Sequence, residues 1–133
     1  EIKYDRRGNV LEKNHYDKYH NLVLVKNGNY CTLKYEYDDR GNQTELQLHN
    51  LNGCFERQQS RYNDCGKLVE FRYCHSNGSL KMSAYGYAKY RIDYQKNGII
   101  PTMAIYYDAS GRKLAYQIYN AKTQRWGNYK FDI

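Results

Sequence analysis

Four short segments place a carboxylate or carboxamide three residues ahead of a glycine: Asp5/Gly8, Asp38/Gly41, Asn63/Gly66 and Asp108/Gly111. Carboxylates serve general acid–base catalysis, so three of them in matching contexts raise that chemistry first. Their spacing answers otherwise. An Asp or Asn that opens a type I turn accepts a backbone N–H from within the turn. A glycine three residues on supplies the left-handed conformation that closes a hairpin loop with a G1 bulge. Conformation accounts for these eight residues, and no catalytic residue is assigned. Ser60, Ser76, Ser79, Ser83 and Ser110 lack the context of a nucleophile. Nothing in the chain reads as a phosphate-binding glycine loop, a nucleophile elbow or a His-x-x-x-His pair.

The thiols and imidazoles are the next candidates. Cys31, Cys54, Cys65 and Cys74 form no Cys-x-x-Cys, and with His15, His20, His49 and His75 they lack zinc-site spacing. No metal or cofactor is therefore expected. A turn over Asn63–Gly66 would set Asn63 against Lys67 and Glu56 against Cys74. Cys54 would then lie diagonal to Cys74, a geometry that invites a disulfide. Cys65 occupies a variable turn position and Cys74 replaces a recurrent tyrosine, so four free thiols are the favoured expectation.

The elements that position these residues are repeats. YDRRGN at 4–9 returns as YDDRGN at 37–42, and YNDCGK (62–67) and YDASGR (107–112) keep the tyrosine, the Asx and the glycine. Weaker copies are YDKYHN (16–21), HNLNGC (49–54), CHSNGS (74–79) and YQKNGI (94–99). Copies 4→62, 16→74 and 37→94 are separated by 58, 58 and 57 residues. The chain thus reads as one domain over 1–133, with two long units at 4–61 and 62–119 and a closing segment at 120–133. Such self-similarity marks a repeat architecture.

Composition gives the class. Leu, Ile, Val and Phe make up only 24 of 133 residues, against 17 tyrosines, and mean hydropathy is −1.02. Tyrosine buries an apolar face while its hydroxyl stays wet, which suits a thin sheet without an aliphatic interior. Between turns, residues alternate with period two, as in Cys31-x-Leu33-x-Tyr35-x-Tyr37 and Ala88-x-Tyr90-x-Ile92-x-Tyr94. The expected fold is all-β: an antiparallel meander of β-hairpin repeats with about ten or eleven strands, in an open single-layer or curled sheet. Pro101, the single proline, predicts a bulge or an unpaired N–H early in its strand. Lys26-Asn27-Gly28-Asn29, with a weaker counterpart at Ala84–Tyr87, predicts an extra hairpin in each unit. Five reversals per unit would set equivalent turns on opposite sides of the sheet.

The Tyr-Asp-x-x-Gly-Asn/Arg spacing, flanked by strands, resembles the YD repeats of bacterial RHS-type proteins over most of 4–119. Gly86-Tyr87-Ala88-Lys89 leading into Tyr94 is similar to a degenerate class of those repeats. The resemblance implies a β-hairpin scaffold within a larger secreted or cell-envelope protein; no self-cleaving core or toxin motif accompanies it. A fainter similarity is to MORN-type repeats.

Charge and aromatics frame the partner. Net charge is +7, and Arg57, Arg61, Lys67, Arg72, Lys81, Lys89 and Arg91 interleave with Tyr62, Phe71, Tyr73, Tyr87 and Tyr90. That pattern raises single-stranded nucleic acid as a ligand. Cations that keep strands soluble explain it as well, so nucleic acid is the less favoured partner. Tyr35, Tyr37, Tyr90, Tyr106, Tyr116 and Trp126 are candidates for a platform that takes a protein or a glycan, unless these rings only pack on each other. No apolar run is long enough to span a membrane, and no signal peptide is visible. The start at Glu1, without methionine, suggests a mature product or an excised piece. The function expected is a non-enzymatic structural or partner-binding scaffold; a sheet-surface binder of nucleic acid or glycan is the alternative.

Overall fold

The computed structural model describes residues 1–26 and 28–130. Ten strands form one sheet in chain order, each antiparallel to the next. They are β1 (Ile2–Tyr4), β2 (Val10–Asn14), β3 (Thr32–Tyr37), β4 (Gln43–Asn50), β5 (Gly53–Tyr62), β6 (Leu68–Cys74), β7 (Lys89–Tyr94), β8 (Pro101–Tyr107), β9 (Lys113–Asn120) and β10 (Arg125–Lys130). The sheet does not close into a barrel, and no helix occurs among the described residues.

Turn chemistry builds each reversal. At residues 38–42, Asp38 N–H donates to the Asn42 carbonyl (2.9 Å) and Gly41 N–H to the Asp38 carbonyl (3.1 Å). Gly41 takes φ +84° there, a conformation that costs other L-residues about 1–2 kcal/mol. The degraded copy at 17–21 makes the same pair of bonds with His20 at φ +64° in the glycine's place. One residue into the following strand the register slips, at Leu11, Thr44, Val69, Thr102 and Leu114, and two residues into β5 at Phe55. Pro101 opens β8 and faces Tyr94 beside one of these bulges.

The bulges overturn the expected thiol geometry. Asn63 does bond to Lys67, but Val69 is skipped, and Arg57 rather than Glu56 faces Cys74. A one-residue slip turns side chains to the opposite face. All four cysteines are free.

The expected parity is also corrected. Each unit makes its fifth turn, between Val25 and Tyr30 (N–H to carbonyl, 2.9 Å) and between Ser83 and Tyr87 (2.9 Å); Asn27 of the predicted Lys26–Asn29 hairpin lies outside the described residues. Yet β2 still pairs antiparallel with β3, and β6 with β7. Residues 15–31 and 75–88 are therefore excursions that together count as one reversal each. Their hydrogen bonds match: Val23 to His15 and Lys81 to Tyr73, His15 to Cys31 and Tyr73 to Ala88, Cys31 to His49 and Ala88 to Tyr107. Four net reversals separate equivalent turns, so the units repeat by translation. The turns at 5–8, 38–41, 63–66 and 95–98 line one rim. The excursions and the turns at 50–53 and 108–111 line the other.

Little is deeply buried in so thin a sheet. Cys31 and Ala88, equivalent in the two units, are 1% and 0% exposed, and Cys74 is 0% exposed. All three lie where an excursion rejoins or leaves the sheet.

Candidate binding face

In the turns, the Asx residues are fully engaged. Asp5 Oδ1 accepts the N–H groups of Arg7 and Asn9 at 2.9 Å each. Asp38 repeats this with Arg40 and Asn42, Asn63 with Cys65 and Lys67, and Asp108 with Ser110 and Arg112. The backbone N–H of Asn42, then its side chain and Arg40, holds the Asp38 carboxyl below the usual carboxylate range. The hydroxyl of Ser110, followed by the Arg112 N–H, does the same for Asp108. A carboxylate that accepts several N–H groups is a poor proton acceptor at neutral pH.

The glycines that close these turns share a conformation but not a place. Gly8 donates its N–H to the Asp5 carbonyl (3.2 Å), Gly66 to Asn63 (2.9 Å) and Gly111 to Asp108 (3.1 Å). Gly8 and Gly111 are exposed, and a Cβ added to either would meet nothing within 4 Å. Space is therefore not what selects glycine at these two positions; their φ of +87° and +89° is. The matching motifs also part company in the fold. Gly8 lies on the same rim as Gly41 and Gly66, whereas Gly111 lies on the opposite rim, an odd number of net reversals away. Gly8 and Gly111 thus belong to the frame alone and not to one common site.

Neighbouring turns are stitched together along the rim that carries Gly8. Arg7 Nη1 donates to the Asp39 carbonyl at 3.0 Å, Arg40 donates to the Asp64 carbonyl, and Asn63 Nδ2 donates to the Gly98 carbonyl at 2.9 Å. The tyrosine that precedes each of the three later turns of this rim adds a second stitch. Tyr37 donates its hydroxyl to the Val10 carbonyl (2.8 Å), Tyr62 to Gln43 (2.7 Å) and Tyr94 to Leu68 (2.6 Å). Each acceptor begins the strand that follows the previous turn of the row.

The two faces of the sheet differ in chemistry. Residues paired directly across strands share a face, and by that rule one face is crossed by an aromatic row: Phe71 opposite Tyr90, and Tyr90 opposite Tyr106. Their ring centroids are 5.6 Å apart at both steps. Tyr73 extends the row on β6, 5.0 Å from Phe71. The 75–88 excursion lays Tyr85 and Tyr87 onto it, Tyr87 at 4.9 Å from Tyr106 and 5.9 Å from Tyr73. Burial, reinforced by the neighbouring phenols, pushes Tyr73 and Tyr90 up to about 12. Tyr85, at the margin, is 77% exposed. It borders a groove of about 480 Å³ that Glu56, Gln58, Tyr73, Lys81 and Met82 also line.

Equivalent positions show where the units diverge. Phe71, Tyr73, Tyr87, Tyr90 and Tyr106 correspond to Lys13, His15, Tyr30, Leu33 and Leu48 in the first unit. The backbone frame is constant, while the aromatic face belongs to the second unit.

Of the six rings expected to form a platform, the structure brings only Tyr90 and Tyr106 together. Tyr35 shares their face but packs in the first unit, beneath Lys13 at 5.9 Å. Tyr37 is taken up by its rim bond. Tyr116 faces the other way, stacked on Tyr129 at 5.0 Å. Trp126 lies at the far end of the aromatic face, 5.1 Å from Tyr119. Phe71, Tyr73 and Tyr87, noted in the sequence only as rings between cations, complete the cluster with Tyr85, which no sequence signal singled out; aligning the two units at 57–58 residues shows how far this stretch departs from its counterpart.

The opposite face is charged. Glu12 bridges Lys3 (3.0 Å) and Lys34 (3.8 Å), Arg57 pairs with Glu45 (3.2 Å), and Glu70 with Lys89 (3.6 Å) and Arg61 (3.9 Å). Burial alone would raise the Glu45 carboxyl, but hydrogen bonds from Gln47 and Gln59 and the Arg57 charge bring it below its usual value. Strand alternation thus parts Arg57, Arg61, Arg72, Lys89 and Arg91 from Phe71, Tyr73 and Tyr90, while Lys81 stays in the groove beside Tyr73 and Tyr85. No three His, Cys, Asp or Glu side chains converge on a metal-sized space among the described residues.

No protein-family model matches the chain, and no curated protein is significantly similar to it.

Proposed function

We propose that the chain is a non-enzymatic repeat scaffold of the YD type that RHS-like bacterial proteins carry, working within a secreted or cell-envelope protein. Its constant frame presents the aromatic face of the second unit to a protein or glycan partner. One observation carries this reading: the excursion bonds and the Tyr37 and Tyr94 rim bonds recur between the units, while the packed cluster of Phe71, Tyr73, Tyr85, Tyr87, Tyr90 and Tyr106 occurs in only one of them. Turn carboxylates and module tyrosines are occupied by the frame. Clustered tyrosines with one highly exposed ring offer rigid, amphipathic contact area at low entropic cost.

A nucleic-acid reader would need phosphate-holding cations beside its stacking rings. Here Arg57, Arg61, Arg72, Lys89 and Arg91 lie on the reverse face, and Lys81, the cation in the groove beside Tyr73 and Tyr85, is paired with Glu56 at 3.2 Å, which favours a protein or a glycan.

The test is to immobilise the chain and challenge it with a glycan array and with proteins of a bacterial envelope extract. A ligand retained by the wild type should lose at least about tenfold in affinity, some 1.4 kcal/mol, in Tyr73→Ala/Tyr85→Ala. A ligand held equally by that variant would refute the aromatic face as the site. Turnover of any captured substrate would refute the non-enzymatic assignment.

A further inference from the structure

We propose that the charged face carries an oxyanion site centred on Arg72, which takes a phosphate or sulfate group. Arg72 lies in mid-face on β6, directly between Gln59 of β5 and Lys89 of β7. Its Nε is buried without a hydrogen-bond partner, and no ion pair among the described residues includes it. Orphaned donors of this kind are uncommon in folded proteins, because leaving one buried and unmade is costly.

The surroundings cannot supply the missing acceptor. Glu70 is held by Arg61 and Lys89. Glu45 is held by Arg57, Gln47 and Gln59. The Gln59 carbonyl oxygen already faces the Cys74 thiol at 3.8 Å. On this face Arg57, Arg61, Arg72, Lys89 and Arg91 stand against Glu36, Glu45, Glu70 and Asp93, and Arg72 is the cation left without a carboxylate partner.

A groove of about 240 Å³ opens beside it, lined by Gln59, Ser60, Arg61, Glu70 and Arg72. A guanidinium binds tetrahedral oxyanions through paired N–H groups in a fixed fork. Arg61 lines the same groove and Lys89 faces Arg72 from β7, so both add positive charge beside a doubly charged group. Partial burial strengthens each of these interactions relative to water. The site is independent of the aromatic face and of the partner proposed for it.

Sodium phosphate and sodium sulfate, each titrated at constant ionic strength against chloride, test the site by melting temperature and amide NMR shifts. The wild type should show a saturable rise in melting temperature, with shifts concentrated at Gln59, Arg72 and Lys89. Arg72→Met should lose both responses while melting no lower than the wild type in chloride, since it replaces an unpaired buried donor with an apolar stem. Arg72→Lys should weaken the response several-fold, and Lys122→Gln, at the β9–β10 turn, should leave it intact. A wild type without a saturable response, or an Arg72→Met variant that responds equally, would overturn the proposal.

Discussion

Tyr62 donates its hydroxyl to a carbonyl just after the previous turn of the same rim, and that bond explains why a tyrosine recurs ahead of the rim turns. A phenylalanine would pack as well but leave the Gln43 carbonyl without its partner. Tyr62→Phe and Tyr94→Phe should each lower stability by about 1 kcal/mol in equilibrium denaturation. Tyr4 sits ahead of the first turn of the row, where no described strand lies within its reach to be stitched, and it is 59% exposed. Tyr4→Phe should stay within about 0.5 kcal/mol of the wild type; equal losses at all three positions would show that the hydroxyl bonds contribute nothing particular.

Elements carry what single residues do not. The reversals were legible because turn chemistry is local: Asp38 and Gly41 contain their own explanation, while the hydroxyl bond of Tyr37 and the bonds at Asp39 and Arg40 reach into other modules. The rim on which each turn falls was not legible from the motif, since Gly8 and Gly111 close the same kind of loop on opposite sides of the sheet. Register was not legible either, because the bulge at Val69 forms only when β5 and β6 meet. The aromatic cluster was partly legible, through Tyr90 and Tyr106 in their alternating runs. Tyr85 and Tyr87 join it only because the excursion folds back over the sheet. That cluster has a pH signature. Tyr73 and Tyr90 titrate at about 12 rather than 10 in the fold, so the neutral phenols are favoured in the folded state. Their contribution is fully present below pH 10 and is lost as pH rises towards 12. A denaturation series across that range should show stability falling steeply, and less steeply in Tyr90→Phe. An unchanged slope in that variant would contradict the assignment.

For the whole molecule, the decisive property is that equivalent turns share one rim. Five turns per unit were countable in the sequence, but their net effect was not. Whether the Val25–Tyr30 turn reverses the meander depends on β2 pairing with β3 across the excursion, a tertiary fact. Cys65 is an exposed native handle in the middle of the rim row, its Sγ 3.4 Å from the Asn97 carbonyl. In a Cys54→Ser background, with Cys31 and Cys74 buried, a nitroxide on Cys65 should broaden the amide signals of residues 38–41 and 95–98. Those of 50–53 and 108–111 lie a strand length away, roughly 25–30 Å, and should stay sharp. Broadening of the far-rim turns instead would contradict the translational repeat on which the scaffold reading rests.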